Sequence, residues 1–139
     1  MKHPPISPRD TTRGMVYFPR MLDKIRKHAG GELRDDFIEN LGKGFDMRCC
    51  RYLRVDYTAL RDRVLAGGTD EEILAWAQQT GRPLSDEDVV VWNAFLSKRG
   101  WNDEATPILE KYKAATGLTG RADVITMFDL FDADEGRRP

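Results

Sequence analysis

Apolar residues recur along this chain at three- and four-residue spacing, the signature of amphipathic helices, and glycines and prolines punctuate them. From Pro19 the period is clear. At about 100° per residue, Met21, Leu22, Ile25, His28 and Ala29 fall on one side, and Arg20, Asp23, Lys24 and Lys27 on the other. Pro19 suits a first helical turn, and Gly30-Gly31 suits a stop. Residues 32–44 read as a loop with a short apolar patch at Phe37, Ile38 and Leu41. A second helix is predicted over about 45–54. Its apolar stripe is Phe45, Cys49, Tyr52 and Leu53, and its basic side is Arg48, Arg51 and Arg54. Asp56 is placed to cap a third helix carrying Tyr57, Leu60 and Val64, which ends at Gly67-Gly68.

Two strong start signals follow. Thr69-Asp70-Glu71-Glu72 precedes Ile73-Leu74-Ala75-Trp76, and Ser85-Asp86-Glu87-Asp88 precedes Val89-Val90-Val91-Trp92. In each, a hydroxyl and early carboxylates satisfy free N–H groups at the positive end of a helix dipole. The second segment is apolar almost all round, which predicts a central, buried helix. Further helices are predicted over about 105–116, with Ile108, Leu109 and Tyr112, and about 120–131, with Val124, Met127, Phe128 and Phe131. Residues 1–14, with Pro4, Pro5 and Pro8, read as an extended arm, and the chain from Asp132 reads as a frayed tail. Met15–Phe18 is a short apolar anchor or stray strand. The expected fold is therefore all-α: about six short helices around a single core over residues 15–135, an extended N-terminal arm over 1–14 and a tail over 136–139.

Composition refines this picture. A chain of 139 residues with 40% hydrophobic and 32% charged residues is long enough for one core and too apolar for disorder. Charge is unevenly spread: residues 1–63 hold 14 Lys/Arg against 9 Asp/Glu, and residues 64–139 hold 8 against 14. That asymmetry suits a mixed solvated surface, attraction between the two halves, head-to-tail pairing of two copies, or steering of an anion to the first half. The two cysteines, Cys49 and Cys50, are adjacent. Neighbouring Cα atoms lie about 3.8 Å apart, below the usual range for a disulfide. The start Met1-Lys2-His3-Pro4-Pro5 lacks a signal-peptide core, and no stretch approaches a membrane span, so a reducing cytoplasm is expected.

Several short motifs occur in a fixed order: Pro19-Arg20-Met21-Leu22-Asp23-Lys24-Ile25-Arg26, Gly44-Phe45-Asp46, Thr69-Asp70-Glu71-Glu72 with Trp76, and Trp92-Asn93 with Phe95. In these the chain resembles a bacterial family catalogued as domain of unknown function 5069, over about residues 9–135. The resemblance implies a small bacterial cytoplasmic protein. It implies no activity, cofactor or catalytic residue.

Motifs that could carry chemistry fail on spacing or number. Cys49, Cys50, His3 and His28 do not form the spaced pairs of a structural zinc site. Cys50, between Arg48 and Arg51, is the candidate for a reactive thiol, and His28 reads as a packed histidine. Gly42-Lys43-Gly44 faintly resembles a phosphate cradle, but Asp46 would compete there for the same N–H groups. Arg48, Arg51 and Arg54 make a basic ridge without interleaved aromatics, in a chain of pI about 6.1. Salt pairs to the acidic half are the better reading than nucleic acid. Asp129, Asp132, Asp134 and Glu135 miss the spacing of a calcium loop. Trp76, Trp92 and Trp101 read as core or interface anchors. No metal, cofactor, nucleic acid or membrane is expected.

Two functional expectations remain. One is a non-catalytic binding or protein-interaction module, with a homo-oligomer or protein partner. The other is a small-anion binder or enzyme with a polar cleft in the first half, lined by Arg20, Asp23, Lys24, Asp46 and Arg48. In that cleft Asp23 or Asp46 would serve as acid or base, and Arg20, Lys24 or Arg48 as an anion clamp. Arg20, Asp23, Lys24 and Lys27 also fit a solvated face, with Asp23 and Lys27 spaced for an ion pair.

Overall fold

The fold follows from seven helices and one small hairpin in a computed structural model that describes residues 1–138. The chain opens with an arm that crosses the helices and bridges His3 to Leu33. It then forms an antiparallel hairpin of β1 (Thr11–Thr12) and β2 (Met15–Val16). Arg13 and Gly14 between them both have positive φ, 49° and 80°, as a two-residue turn matched to strand twist requires. Helix α1 (Phe18–Ala29) follows, then a 3-10 turn over Asp35–Asn40, α2 (Phe45–Leu53), α3 (Tyr57–Leu65), α4 (Asp70–Thr80), α5 (Asp86–Ser97), α6 (Thr106–Ala115) and α7 (Met127–Asp134). The all-α expectation holds, with two additions: the hairpin, and the 3-10 turn within the stretch 32–44 expected to be a loop. Among the described residues no helix is long and apolar enough to cross a membrane.

The caps explain where the helices begin. Asp56 accepts from Ala59 N, and both predicted capping boxes form, Thr69 with Glu72 and Ser85 with Asp88. A third box, Thr126 with Asp129, opens α7. It moves that helix later than the predicted 120–131, because the preceding loop is bound elsewhere. Lys113 Nζ donates to the carbonyls of Arg121 and Val124, and Met127 N donates to Arg99 O.

The main core gathers Phe18, Met21, Leu22, Leu53, Leu60, Ile73, Leu96 and Phe128, all fully buried. A smaller cluster under α6 and α7 holds Leu109, Val124, Met127 and Leu130. Trp92 stacks on Tyr52 at 4.9 Å, and its indole N–H donates to Val16 O. Asn93 beside it bonds Val16 N and Gly14 O, so adjacent residues of α5 fasten the hairpin. At the α2–α4 junction Gly81 lets two backbones approach: a Cβ there would lie 2.0 Å from Leu53 O.

Four expectations are corrected. Helix α5 is peripheral rather than central: Trp92 and Leu96 are buried, but Val90, Val91 and Phe95 are exposed, because the hairpin and α2 cover only one side. His28 is exposed, since the last turn of α1 runs past the core. Residues 132–138 are not frayed, and Pro139 lies outside the described residues: Asp132 is buried, and Arg137 bonds Asp132, Glu135 and the arm carbonyl of Pro5. Arg48, Arg51 and Arg54 make no ion pairs among the described residues; Arg48 lies over the Phe95 ring instead. Attraction between the halves does occur, through Arg9 to Asp129 and Asp132, Arg20 to Glu135, and Arg34 to Asp134.

Candidate functional site

Tyr17, Arg20 and Lys24 lie three and four residues apart, a spacing that aims them to one side of α1. That side carries polar side chains, yet Arg20 and Lys24 are 2% and 5% exposed. The polar face predicted to be solvated is thus divided. Arg20 and Lys24 turn inward, and Lys27 pairs with Asp23 at the surface.

Buried ionic groups need partners, and each here has one. Asp46, in the first turn of α2, accepts three bonds: from Tyr17 Oη at 2.7 Å, Lys24 Nζ at 2.9 Å and the backbone N–H of Gly42 at 3.1 Å. The Gly42-Lys43-Gly44 turn therefore gives one of its N–H groups to Asp46, the competition that the sequence suggested. Arg20 makes a two-pronged bond to Glu135, at 2.7 and 2.8 Å, and also donates to Ile6 O. Its guanidinium lies 4.8 Å from the Phe131 ring centroid and 5.6 Å from that of Phe37. Its Nε is buried without a protein partner.

Burial sets the protonation behaviour. It pushes the Tyr17 hydroxyl well above its ordinary value, reinforced by the charge of Asp46, so Tyr17 is a neutral donor. Burial also lowers the Lys24 ammonium, against the pull of Asp46. For Arg20 burial opposes the charge, but the bonds and charge of Glu135 outweigh it and the pKa is raised. Tyr17 holds this arrangement with a left-handed backbone, φ 73°, at the helix start. Such a conformation is costly for a bulky residue and is found disproportionately at functional sites.

Above this floor opens a cleft of about 650 Å³ between α1, the 3-10 turn, α2, α6 and α7. That is within the usual size of small-molecule sites. Phe37, Phe45, Met127, Leu130 and Phe131 give it an apolar wall, and Ile108 and Tyr112 a half-open rim. Lys43, Arg48 and Arg99 bring positive charge to it, and Glu39 brings a carboxylate, beside Asp36 and Asp134, which pair with Arg34. Arg99 lies 3.6 Å from Asp103, whereas Lys43 and Arg48 have no carboxylate partner among the described residues.

Of the five residues singled out in the sequence, Arg20, Lys24 and Arg48 line the cleft, and Asp46 lies beneath it, bonded to Lys24. Asp23 is elsewhere: it faces the arm, accepting from Ile6 N and Lys27. Tyr17, Lys43, Phe131 and Glu135 also line the cleft, beyond the residues that the sequence singles out. The three- and seven-residue spacing of Tyr17 from Arg20 and Lys24 was a usable signal; Glu135, read as tail, offered none. The thiols are no part of it. Both are buried and unbridged, and burial raises both, Cys50 to about 12, which removes the reactive-thiol candidate. Among the described residues no acidic, histidine or cysteine cluster is arranged to hold a metal.

The cleft-forming segments run from Tyr17 to Glu135, and the motifs around Arg20, Lys24 and Asp46 supply its floor. A comparison with curated proteins gives no match. A family model covers nearly the whole chain, residues 2–137, and the protein belongs to the family it describes, Domain of unknown function (DUF5069).

Proposed function

We propose that the protein is a non-catalytic binding module whose cleft takes a small amphipathic organic anion, a carboxylate or phosphate ester on an apolar or aromatic body. The observation that carries this reading is an imbalance of charge within the cleft. Its buried charges are matched, Lys24 by Asp46 and Arg20 by Glu135. Among the described residues the lining cations Lys43 and Arg48 have no carboxylate partner, and they outnumber the one unpaired carboxylate of the lining, Glu39. An anionic head would complete them, and the aromatic wall of Phe37, Phe45 and Phe131 would take the body. The paired floor would supply shape, with the Arg20 Nε as an additional donor.

A thermal-shift series tests this. A ligand that binds only the native state raises the melting temperature with its concentration. Aromatic and medium-chain carboxylates are expected to stabilise the wild-type chain more than inorganic phosphate or the matching amides. The stabilisation should fall in Lys43→Ala and Arg48→Ala. Equal shifts from acids and amides, or shifts unaffected by both substitutions, would remove the anionic-head assignment.

A further inference from the structure

Helix α5 leaves one face uncovered. Trp92 and Leu96 point into the core, while Val90, Val91 and Phe95 remain 59%, 52% and 42% exposed. Such a run of apolar side chains on one helix face marks an interaction surface more often than a scattered exposed residue does. At about 100° per residue, Glu87, Val91, Ala94 and Lys98 form a nearly straight stripe down this face, flanked by Val90 and Phe95. All four are exposed. Glu87 and Lys98 are both exposed and form no ion pair with each other or with any other described residue.

We propose that this face binds the same face of a second copy of the chain, with the two α5 helices antiparallel about a two-fold axis. The charge pattern selects that occupant and that orientation. The stripe has an acid at one end and a base at the other, about 16 Å apart along the helix. Two copies related by a two-fold axis therefore place each Glu87 beside the other copy's Lys98, forming two equivalent ion pairs. A parallel arrangement would set like charges together. At the centre, Val91 meets the small Ala94 of the other copy, so the helices can approach closely with Val90 and Phe95 packed alongside. Antiparallel helix dipoles favour the same orientation. The surface continues beyond the helix: Arg48 and Arg99 both lie over the Phe95 ring, at 5.2 and 5.3 Å, and connect it to the half-exposed cleft rim of Ile108 and Tyr112. The pairing does not depend on what the cleft binds.

Sedimentation velocity over a concentration series tests the proposal with exposed residues whose replacement leaves the core intact. The wild-type chain should sediment as a dimer in the micromolar range. Glu87→Lys alone and Lys98→Glu alone should each raise the dimer dissociation constant about tenfold or more, because each turns two attractive contacts into two repulsive ones. The double swap, E87K with K98E, should restore wild-type association, and Val91→Glu should abolish it. A chain that stays monomeric throughout overturns the proposal. So does a dimer indifferent to the single swaps, as parallel or distant contacts would give, or one that the double swap fails to rescue.

Discussion

Replacing Asp46 with alanine removes a carboxylate that is fully buried and accepts bonds from Tyr17, Lys24 and the Gly42 backbone. The structure says how large the effect should be. The main loss is the partner of a buried ammonium, which in proteins costs about 3–5 kcal/mol when one side of a buried pair is deleted. The stranded Tyr17 hydroxyl adds about 1 kcal/mol or more. Lys24 already has a lowered pKa because of its burial, so it can shed its proton and recover part of this. A net loss of about 3–4 kcal/mol is therefore expected, a large fraction of the stability of a small domain. Urea denaturation at neutral pH measures it. The informative control is the pair of changes Asp46→Asn and Lys24→Met made together. With both charges gone, the desolvation cost also goes, so the double variant should be more stable than Asp46→Ala alone. If Asp46→Ala costs under about 1 kcal/mol, or if the Asp46 and Lys24 changes simply add, the two groups are not a buried, mutually dependent pair and the floor of the cleft has been misread.

Three further predictions concern the frame around the site. Gly81→Ala should destabilise by about 3 kcal/mol or more in the same urea assay, since its Cβ would fall 2.0 Å from Leu53 O and 2.6 Å from Arg54 O; a loss under about 1 kcal/mol would contradict the close approach of α2 and α4. Thr126→Ala should cost about 1 kcal/mol by opening the α7 capping box, and Thr126→Ser should retain most of it. At alkaline pH, burial raises Cys49 and Cys50 above their ordinary value of 9.0, Cys50 to about 12, so the unfolded chain releases these protons first. Both contributions are complete below pH 9; that of Cys50 is lost as pH rises toward 12, by up to about 1.4 kcal/mol per pH unit, and Cys49 acts in the same direction. Tyr17 acts in the same direction and Lys24 in the opposite one. Denaturation midpoints across that range should fall less steeply for Cys50→Ala than for the wild type.

The sequence made the helices legible because their start signals are local. The Thr69 and Ser85 boxes and the Asp56 cap need only residues a turn apart, and each formed. The Thr126 box was equally local, but the apolar residue Val124 ahead of it continued the helical period and masked the true start. Burial was less legible, because it depends on what packs against a face. An all-round apolar α5 reads as central until the hairpin, tied down by Trp92 and Asn93, is seen to cover only one side. The opposite error occurred on α1, where polar Arg20 and Lys24 read as solvated. Their partners Glu135 and Asp46 lie 115 and 22 residues away, beyond any local pattern. Arg20, Lys24, Asp46 and Arg48 stand out in the sequence by charge and spacing alone. Asp23 satisfied the same criteria, yet it serves the arm.

Calorimetric titration of the native chain with naphthoate measures directly whether the cleft takes an amphipathic anion. Naphthoate joins an aromatic body to a single carboxylate, and its neutral counterpart naphthamide differs only in the head. Naphthoate should bind saturably and one-to-one, naphthamide more weakly, and naphthoate affinity should fall about tenfold when Lys43 and Arg48 are both replaced by alanine. Absence of saturable binding, or an affinity unchanged by removing both cations, would contradict this role of the cleft.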